Sequence, residues 1–302
     1  MKIAVFYYTQ TGQALEAAKS VCRPIEEADD GSHVICKEIV PLTPYPFPWS
    51  RHAFFDVFPE TRLGITPSAG IRSIDFSDIA DADLVMVVGQ SWFLSPSQPL
   101  QSFFTDRQVM HYLSGRDVIF VNVCRNMWVM TIRKVKAYLS EAGARLAGHI
   151  VLQDRASNLV SVITIIRWLI YGKKDASRCL PKAGVSDKDI LFAARFGDVI
   201  RQTFKAGKLS RLQERLLQAG AIDYKPSVVF MEKTGHRMFG LWARFVRRRG
   251  GQGDPRRRRR LDIFYAYLLF VLFAVSPIGQ AVFWLTWPLH RGGGSRHKDC
   301  GV

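Results

Sequence analysis

The chain has 302 residues, enough for one large domain with appendages. Its formal charge of +16 is unevenly placed, because residues 237–260 hold ten arginines against the single acid Asp254. The basicity is therefore a local feature and not a property of the core, and five scattered cysteines without paired spacing speak against a zinc site or a disulfide framework. A reducing compartment is the default for such cysteine usage. The chain opens on a strand pattern, so a cleavable signal peptide is not expected.

Ile3 to Tyr8 are apolar or aromatic and suit a strand buried on both faces. Thr9, Thr11 and Gly12 follow, and then the strongly helix-forming run 14–19. A strand, a hydroxyl-rich turn and a helix N-terminus make an anion site suited to phosphate; an ordinary capped turn is the plain alternative. Neither Gly-Lys-Ser/Thr nor Gly-x-Gly-x-x-Gly is present, so this is not a nucleoside-triphosphate loop or a dinucleotide fingerprint.

His33 to Val40 reads as a second strand. Residues 41–71 form a long Pro- and aromatic-rich insertion, read as a packed lid over an apolar ligand or else a polyproline segment for another protein. Leu84 to Gly89 is a third buried strand, followed by the loop 90–97 and a Pro-led helix. Asp117 to Cys124 is a fourth strand, with Cys124-Arg-Asn-Met-Trp-Val-Met130 as the loop after it and Thr131 as a cap for a helix over 132–142. Arg145 to Leu152 completes a five-stranded, doubly wound parallel sheet of α/β class. The loops after the first, third and fourth strands then share the carboxyl edge, where such sheets bind ligands.

Residues 156–236 form a helical extension. Within it, 158–171 is nearly all apolar and too short to span a bilayer; a core helix is expected, with an interfacial helix or an alkyl-chain wall as alternatives. Residues 187–219 look helical, with Asp187 as cap. Residues 237–260 mix aromatics and arginines, which suits a helix on an anionic membrane surface and disfavours nucleic acid. The uncharged run 263–289, inside a membrane segment assigned to 261–290, could cross as one helix of about 40 Å. Pro277 interrupts it, which favours a re-entrant hairpin instead, with a soluble apolar hairpin docked on the domain as the remaining alternative. Basic residues on both flanks, including the tail 291–302, place both ends at the cytoplasmic face of the membrane.

Several stretches carry a resemblance. Thr9-Gln-Thr-Gly-Gln-Ala14 resembles the flavodoxin phosphate loop, Thr-x-Thr-Gly-x-Thr, departing at Ala14. Gln90-Ser-Trp-Phe-Leu-Ser-Pro-Ser97 resembles the second flavin loop of flavodoxin-like reductases. Together with Tyr45-Pro-Phe-Pro-Trp49, Phe54-Phe-Asp-Val-Phe-Pro-Glu-Thr61, residues 124–130 and residues 158–165, these blocks look like the flavodoxin-like proteins called dialkylresorcinol condensing enzymes, over roughly residues 1–200. The resemblance implies a flavodoxin-like FMN domain over 1–155. It also implies a ketosynthase partner and a lipid-like polyketide or fatty-acyl-derived substrate, a dialkyl cyclohexanedione that the flavoprotein dehydrogenates to a resorcinol.

The resemblance puts Thr9, Gln10, Thr11, Gly12 and Gln13 on the FMN phosphate. Gln90, Ser91, Trp92, Phe93, Cys124, Asn126 and Met127 fall near the flavin ring. Arg125 is a candidate to hold an enolate oxygen or to form a structural ion pair. His52 is a candidate base or a surface histidine. No metal is expected. The alternatives are an NAD(P)H-dependent quinone or flavin reductase, a membrane-tethered electron carrier, and a flavin-free scaffold for the ketosynthase.

Overall fold

In the computed structural model, which describes residues 1–275, the first half of the chain alternates strands and helices. The elements are β1 (Lys2–Tyr7), α1 (Gln13–Glu26), β2 (His33–Glu38), α2 (Arg51–Asp56), α3 (Phe58–Leu63), β3 (Leu84–Trp92), β4 (Ser95–Pro96), α4 (Gln98–Thr105), α5 (Arg107–Leu113), β5 (Asp117–Cys124), α6 (Val129–Glu141) and β6 (Arg145–Gln153). Then come α7 (Asn158–Tyr171), α8 (Asp187–Phe192), α9 (Ala194–Lys205), α10 (Leu212–Gln218), α11 (Pro226–Arg247) and α12 (Arg258–Phe270).

Five strands are parallel in the order β2-β1-β3-β5-β6, the flavodoxin-like doubly wound order. The sheet has six strands and not the expected five, because β3 runs on to Trp92 and folds back through the two-residue antiparallel β4. Alternate side chains of each strand sort into two layers. Ala4, Phe6, Val85, Val87, Val118 and Phe120 face one core with α4, α5 and α6. Ile3, Val5, Met86, Val88, Ile119 and Val121 face the other with α1, α9 and α10. In α1 the buried face is Ala14, Ala17, Ala18, Val21 and Ile25, and α9 reaches it closely because Gly197 lies against the Val21 carbonyl, where any Cβ would collide at 2.0 Å.

Four sequence expectations need correction. Thr131 does not cap a helix: α6 begins two residues earlier, and Thr131 is buried in its first turn. Ser186, not Asp187, caps α8, accepting from the Asp189 N–H at 3.1 Å, since a hydroxyl one residue earlier reaches the orphan donor. α7 is not a core helix: only Ser161, Val162, Thr164 and Trp168 are buried, while Leu159, Ile163 and Tyr171 are exposed. Arg257 does not belong to a free polybasic flank. It is fully buried, donating to Asp56 Oδ1 at 2.6 Å and to the Glu60 carboxylate at 2.8 and 3.0 Å. Among the described residues no helix is long and apolar enough to cross a membrane. The membrane-segment residues from 276 to 290, and the tail, lie outside the described residues.

Arg257 fastens α12 to the 41–71 segment. That segment, read from the sequence as a lid, is packed, and a third cluster joins it to the C-terminal helices. Phe58 stacks on Phe264 at 4.0 Å and 5°, and Phe55 and Phe93 close around them. Burial works against the Arg257 charge, but Glu60 and Asp56 outweigh it and raise its pKa. Arg257→Met would leave both carboxylates without this partner and is expected to cost about 3–5 kcal/mol. The double variant Arg257→Met/Glu60→Met should be more stable than the single one in urea unfolding.

His149, on β6, is enclosed beside Phe120 and Trp128, and neither ring nitrogen has a partner. Burial lowers its pKa to about 3, with Lys136 adding to the effect. Between that value and the ordinary 6.5 the unfolded chain binds the extra proton, so stability rises with pH through this window and is lost as pH falls. From pH 6.5 to about pH 5 the loss approaches 2 kcal/mol. His149→Phe is expected to flatten this acid limb when urea midpoints are compared across pH.

Candidate functional site

The parallel order sends the loops after β1, β3 and β5 to one edge of the sheet, and each proves to be tied to the lid or to the C-terminal extension. After β1, Gly12 takes φ +84°, a left-handed conformation open to glycine, and starts α1 with no side-chain cap. The first N–H groups of α1 are left facing the loop. Thr9 Oγ1, in the same loop, is buried without a partner. Ala14 is fully buried in the helix–sheet core, so that position supplies packing instead of a hydroxyl.

Two glutamines of this loop are already engaged. Gln13 donates through Nε2 to the Val185 carbonyl at 2.8 Å and accepts the Val185 N–H at 3.1 Å, leaving its own N–H for the loop. Gln10 accepts from Trp49 Nε1 at 3.1 Å and donates to the Pro46 carbonyl at 3.1 Å, which fastens the lid to the first loop. The Trp49 N–H donates to the Leu169 carbonyl of α7.

The second loop turns back at Phe93 and Leu94, with φ of 49° and 60°. Two consecutive left-handed residues make a hairpin turn usually built from Asn-Gly, so this pair is strained. Phe93 is held there by Phe54, Phe55 and Phe58, with ring centres 5.0–6.3 Å away. Trp92 meets Tyr8, Tyr45 and Trp49 edge-on at 6.0, 5.2 and 5.7 Å, and its Nε1 donates to Gln90 at 3.3 Å. Ser91 Oγ lies 3.0 Å from Asn122 Oδ1 and 2.9 Å from Thr131 Oγ1, which joins the second loop to β5 and α6.

In the third loop Arg125 donates to Asn158 Oδ1 at 2.8 Å and to the Asn158 carbonyl at 3.2 Å. Burial draws its pKa down to about 10, against the opposing pull of Asp154. Asn126 Nδ2 also reaches Asn158, at 3.3 Å, while Asn126 Oδ1 and Asn122 Nδ2 are buried without partners. Met127 is half-buried beside them. Burial pushes the Cys124 thiol well above its ordinary value, with Glu232 adding to the effect, which disfavours the thiolate. His52 stands apart from these loops. Its Nε2 accepts from Arg258 at 3.3 Å, and its Nδ1 lies 4.0 Å from Asp262.

One residue of this edge escapes any reading of the sequence. Glu232 of α11 is buried and accepts the N–H groups of Trp128, Val129 and Met130 at 2.8–3.1 Å, capping α6 where Thr131 was expected to. Burial raises its pKa to about 7, against the pull of the three N–H donors. It comes from about one hundred residues downstream, so no local motif marks it. Beside the lid lies a cavity of about 530 Å³ whose walls include Tyr45, Trp49, Glu60, Arg247 and Gln252.

No family model and no curated protein matches the chain. Among solved structures it is similar to a Streptococcus pneumonia TIGR4 flavodoxin, with 12% identity over 66% of this chain and 96% of that one, at a TM-score of 0.36. It is also similar to an azoreductase from Bacillus anthracis str. Sterne, with 10% identity over 66% and 99% and a TM-score of 0.35. A third likeness is to an NAD(P)H:quinone oxidoreductase from Methanothermobacter marburgensis, with 12% identity over 66% and 96% and a TM-score of 0.35. The fold class rests on the strand order and not on these likenesses.

An added Cβ at Gly12 would meet only Glu16 Oε1 at 4.0 Å, so its replacement strains the backbone without crowding it. Gly12→Ala is expected to cost about 1–2 kcal/mol, and Gly12→Asn less, because Asn tolerates the left-handed region. Urea unfolding of the two variants checks the order.

Proposed function

We propose that the protein is a flavin-dependent oxidoreductase with FMN as its cofactor. The observation that carries this reading is the first loop: an uncapped helix N-terminus opened by left-handed Gly12, with the orphaned Thr9 hydroxyl in the same loop, at the carboxyl edge of a flavodoxin-ordered sheet. The residues fit the group. The phosphate would take the N–H groups at the start of α1 and the hydroxyls of Thr9 and Thr11. The polar rim of the ring would take Asn122 and Asn126, whose buried amide atoms lack partners. Trp92 would meet the ring itself, and the lid closes against that same side chain. Bound there, the flavin would supply two-electron chemistry.

The finer reading follows the resemblance: a dialkyl cyclohexanedione, supplied by a ketosynthase, is dehydrogenated to a dialkylresorcinol. Arg125, held by Asn158, would stabilise negative charge on the substrate oxygen as the neighbouring carbon gives its proton to solvent, and the acceptor of the hydride would be the flavin, when bound. Its lowered pKa still leaves it cationic at neutral pH. His52 faces α12 and moves no proton in this scheme. The alkyl chains would lie against the lid and the exposed apolar side chains of α7, Leu159 and Ile163 among them.

The visible spectrum of detergent-purified protein, with the denatured supernatant compared to FMN, tests this. Stoichiometric FMN that a dialkyl cyclohexanedione bleaches anaerobically is expected. Bleaching by NADPH alone would point to the quinone-reductase alternative. A colourless protein that refuses added FMN would sink the flavin reading and favour a scaffold for the ketosynthase.

A further inference from the structure

The inner side of α11 is spoken for. Val229, Glu232, Gly240, Ala243 and Val246 are buried, and the helix packs on α3 and α6. Its outer side is not polar. Phe230, Met238, Leu241 and Phe245, spaced by eight, three and four residues, share one face and are 57, 37, 58 and 38% exposed. Arg237, Arg244, Arg248 and Arg249 stand among and beyond them, all exposed. α12 extends the pattern, with Ile263 and Phe270 exposed and Arg258 and Arg259 at its start. The acids of this region are committed elsewhere: Glu232 is buried on α6, Asp254 binds Arg256, and Asp262 pairs with Arg51.

We propose that the outer face of α11, continued by α12, docks in the plane of an anionic lipid bilayer. Large apolar side chains between arginines on one helix face complement a surface that is apolar beneath a negative headgroup layer. A duplex or an RNA would reward the arginines but not Phe230 or Leu241. Among the described residues α12 and the π-helical turn Val271–Val275 that continues it make a run of 18 residues, about 25 Å against a core of roughly 30 Å. Its Leu261 and Phe264 are buried in the aromatic cluster with the lid, so that side is not available to lipid. The outer face of α11 therefore lies along the surface, with α12 packed beside it. Because Arg257 and Phe264 bind these helices to α2 and α3, the lid rides on the docked unit. The inference stands on these helices and does not depend on the flavin reading. The cytoplasmic leaflet is the surface that the charge pattern of the sequence favours.

Flotation of the full-length protein with vesicles tests it, using phosphatidylcholine alone or phosphatidylcholine mixed with phosphatidylglycerol. Binding is expected with the anionic vesicles and should weaken as salt is raised. Arg237→Gln/Arg248→Gln/Arg249→Gln is expected to lower the partition constant about fivefold for each arginine removed. Met238→Gln/Leu241→Gln should lower it again, and both variants should keep the parent urea midpoint, since these side chains are exposed. Three results would overturn the proposal. One is equal binding to neutral vesicles that neither variant weakens, which would assign attachment to residues 276–302. Another is a soluble dimer that Leu241→Gln dissociates, without vesicle binding. The last is retention on RNA but not on vesicles.

Discussion

The burial of β1, β3 and β5 on both faces is the constraint from which the rest of the molecule follows. Strands with no solvent face need a helix layer on each side. Parallel strands also need long crossovers, and those crossovers return every chain direction to the same edge. Here the two layers are supplied by α1, α9 and α10 on one side and α4, α5 and α6 on the other. The loops after β1, β3 and β5 are then brought to one rim without any sequence relation among them. Polar groups that the core excludes collect there, including Thr9, Asn122 and Asn126.

That rim is not left open. The 41–71 segment reaches it through Trp49, which hydrogen-bonds Gln10 and meets Trp92 edge-on. The segment is itself fixed from outside by Arg257, whose burial is tolerable only because Asp56 and Glu60 accept its donors. α11 reaches the same rim from the other side, where Glu232 caps α6 and orders the third loop. The C-terminal helices thus act on the site through two buried ionisable groups, Arg257 and Glu232, and through the aromatic cluster that Phe93 joins. The strained turn at Phe93 and Leu94 belongs to this arrangement, since Phe93 is the point where the second loop enters the aromatic cluster of the lid and α12.

Much of the central sheet was legible residue by residue. Ile3 to Tyr8, Leu84 to Gly89 and Asp117 to Cys124 carry apolar runs that only a doubly covered strand accommodates, and all three are strands at those places. The hydroxyl-glycine turn before α1 was legible too, because left-handed Gly12 and the open helix start are local properties. Thr131 misled because its cap position was judged from residue type alone. The helix starts two residues earlier, and the free N–H groups there, on Trp128, Val129 and Met130, are met by a carboxylate about one hundred residues away. α7 misled for the opposite reason: its apolar composition implies burial, yet too few partners pack against it. In the arginine run 256–260 the five residues are chemically alike, and only the placement of Asp56 and Glu60 separates Arg257 from its neighbours.

The sequence by itself determined the parallel α/β class, the carboxyl-edge loops and the local charge, since these follow from apolar runs, turn residues and composition within short windows. The tertiary structure alone decided which arginine is buried, which carboxylate caps α6 and where Gln13 points. It also decided which face of α11 is left outward. The physical reason is the same in each case: the energy of a buried charge or of an orphan N–H depends on a partner brought from far along the chain, and sequence spacing carries no record of that meeting.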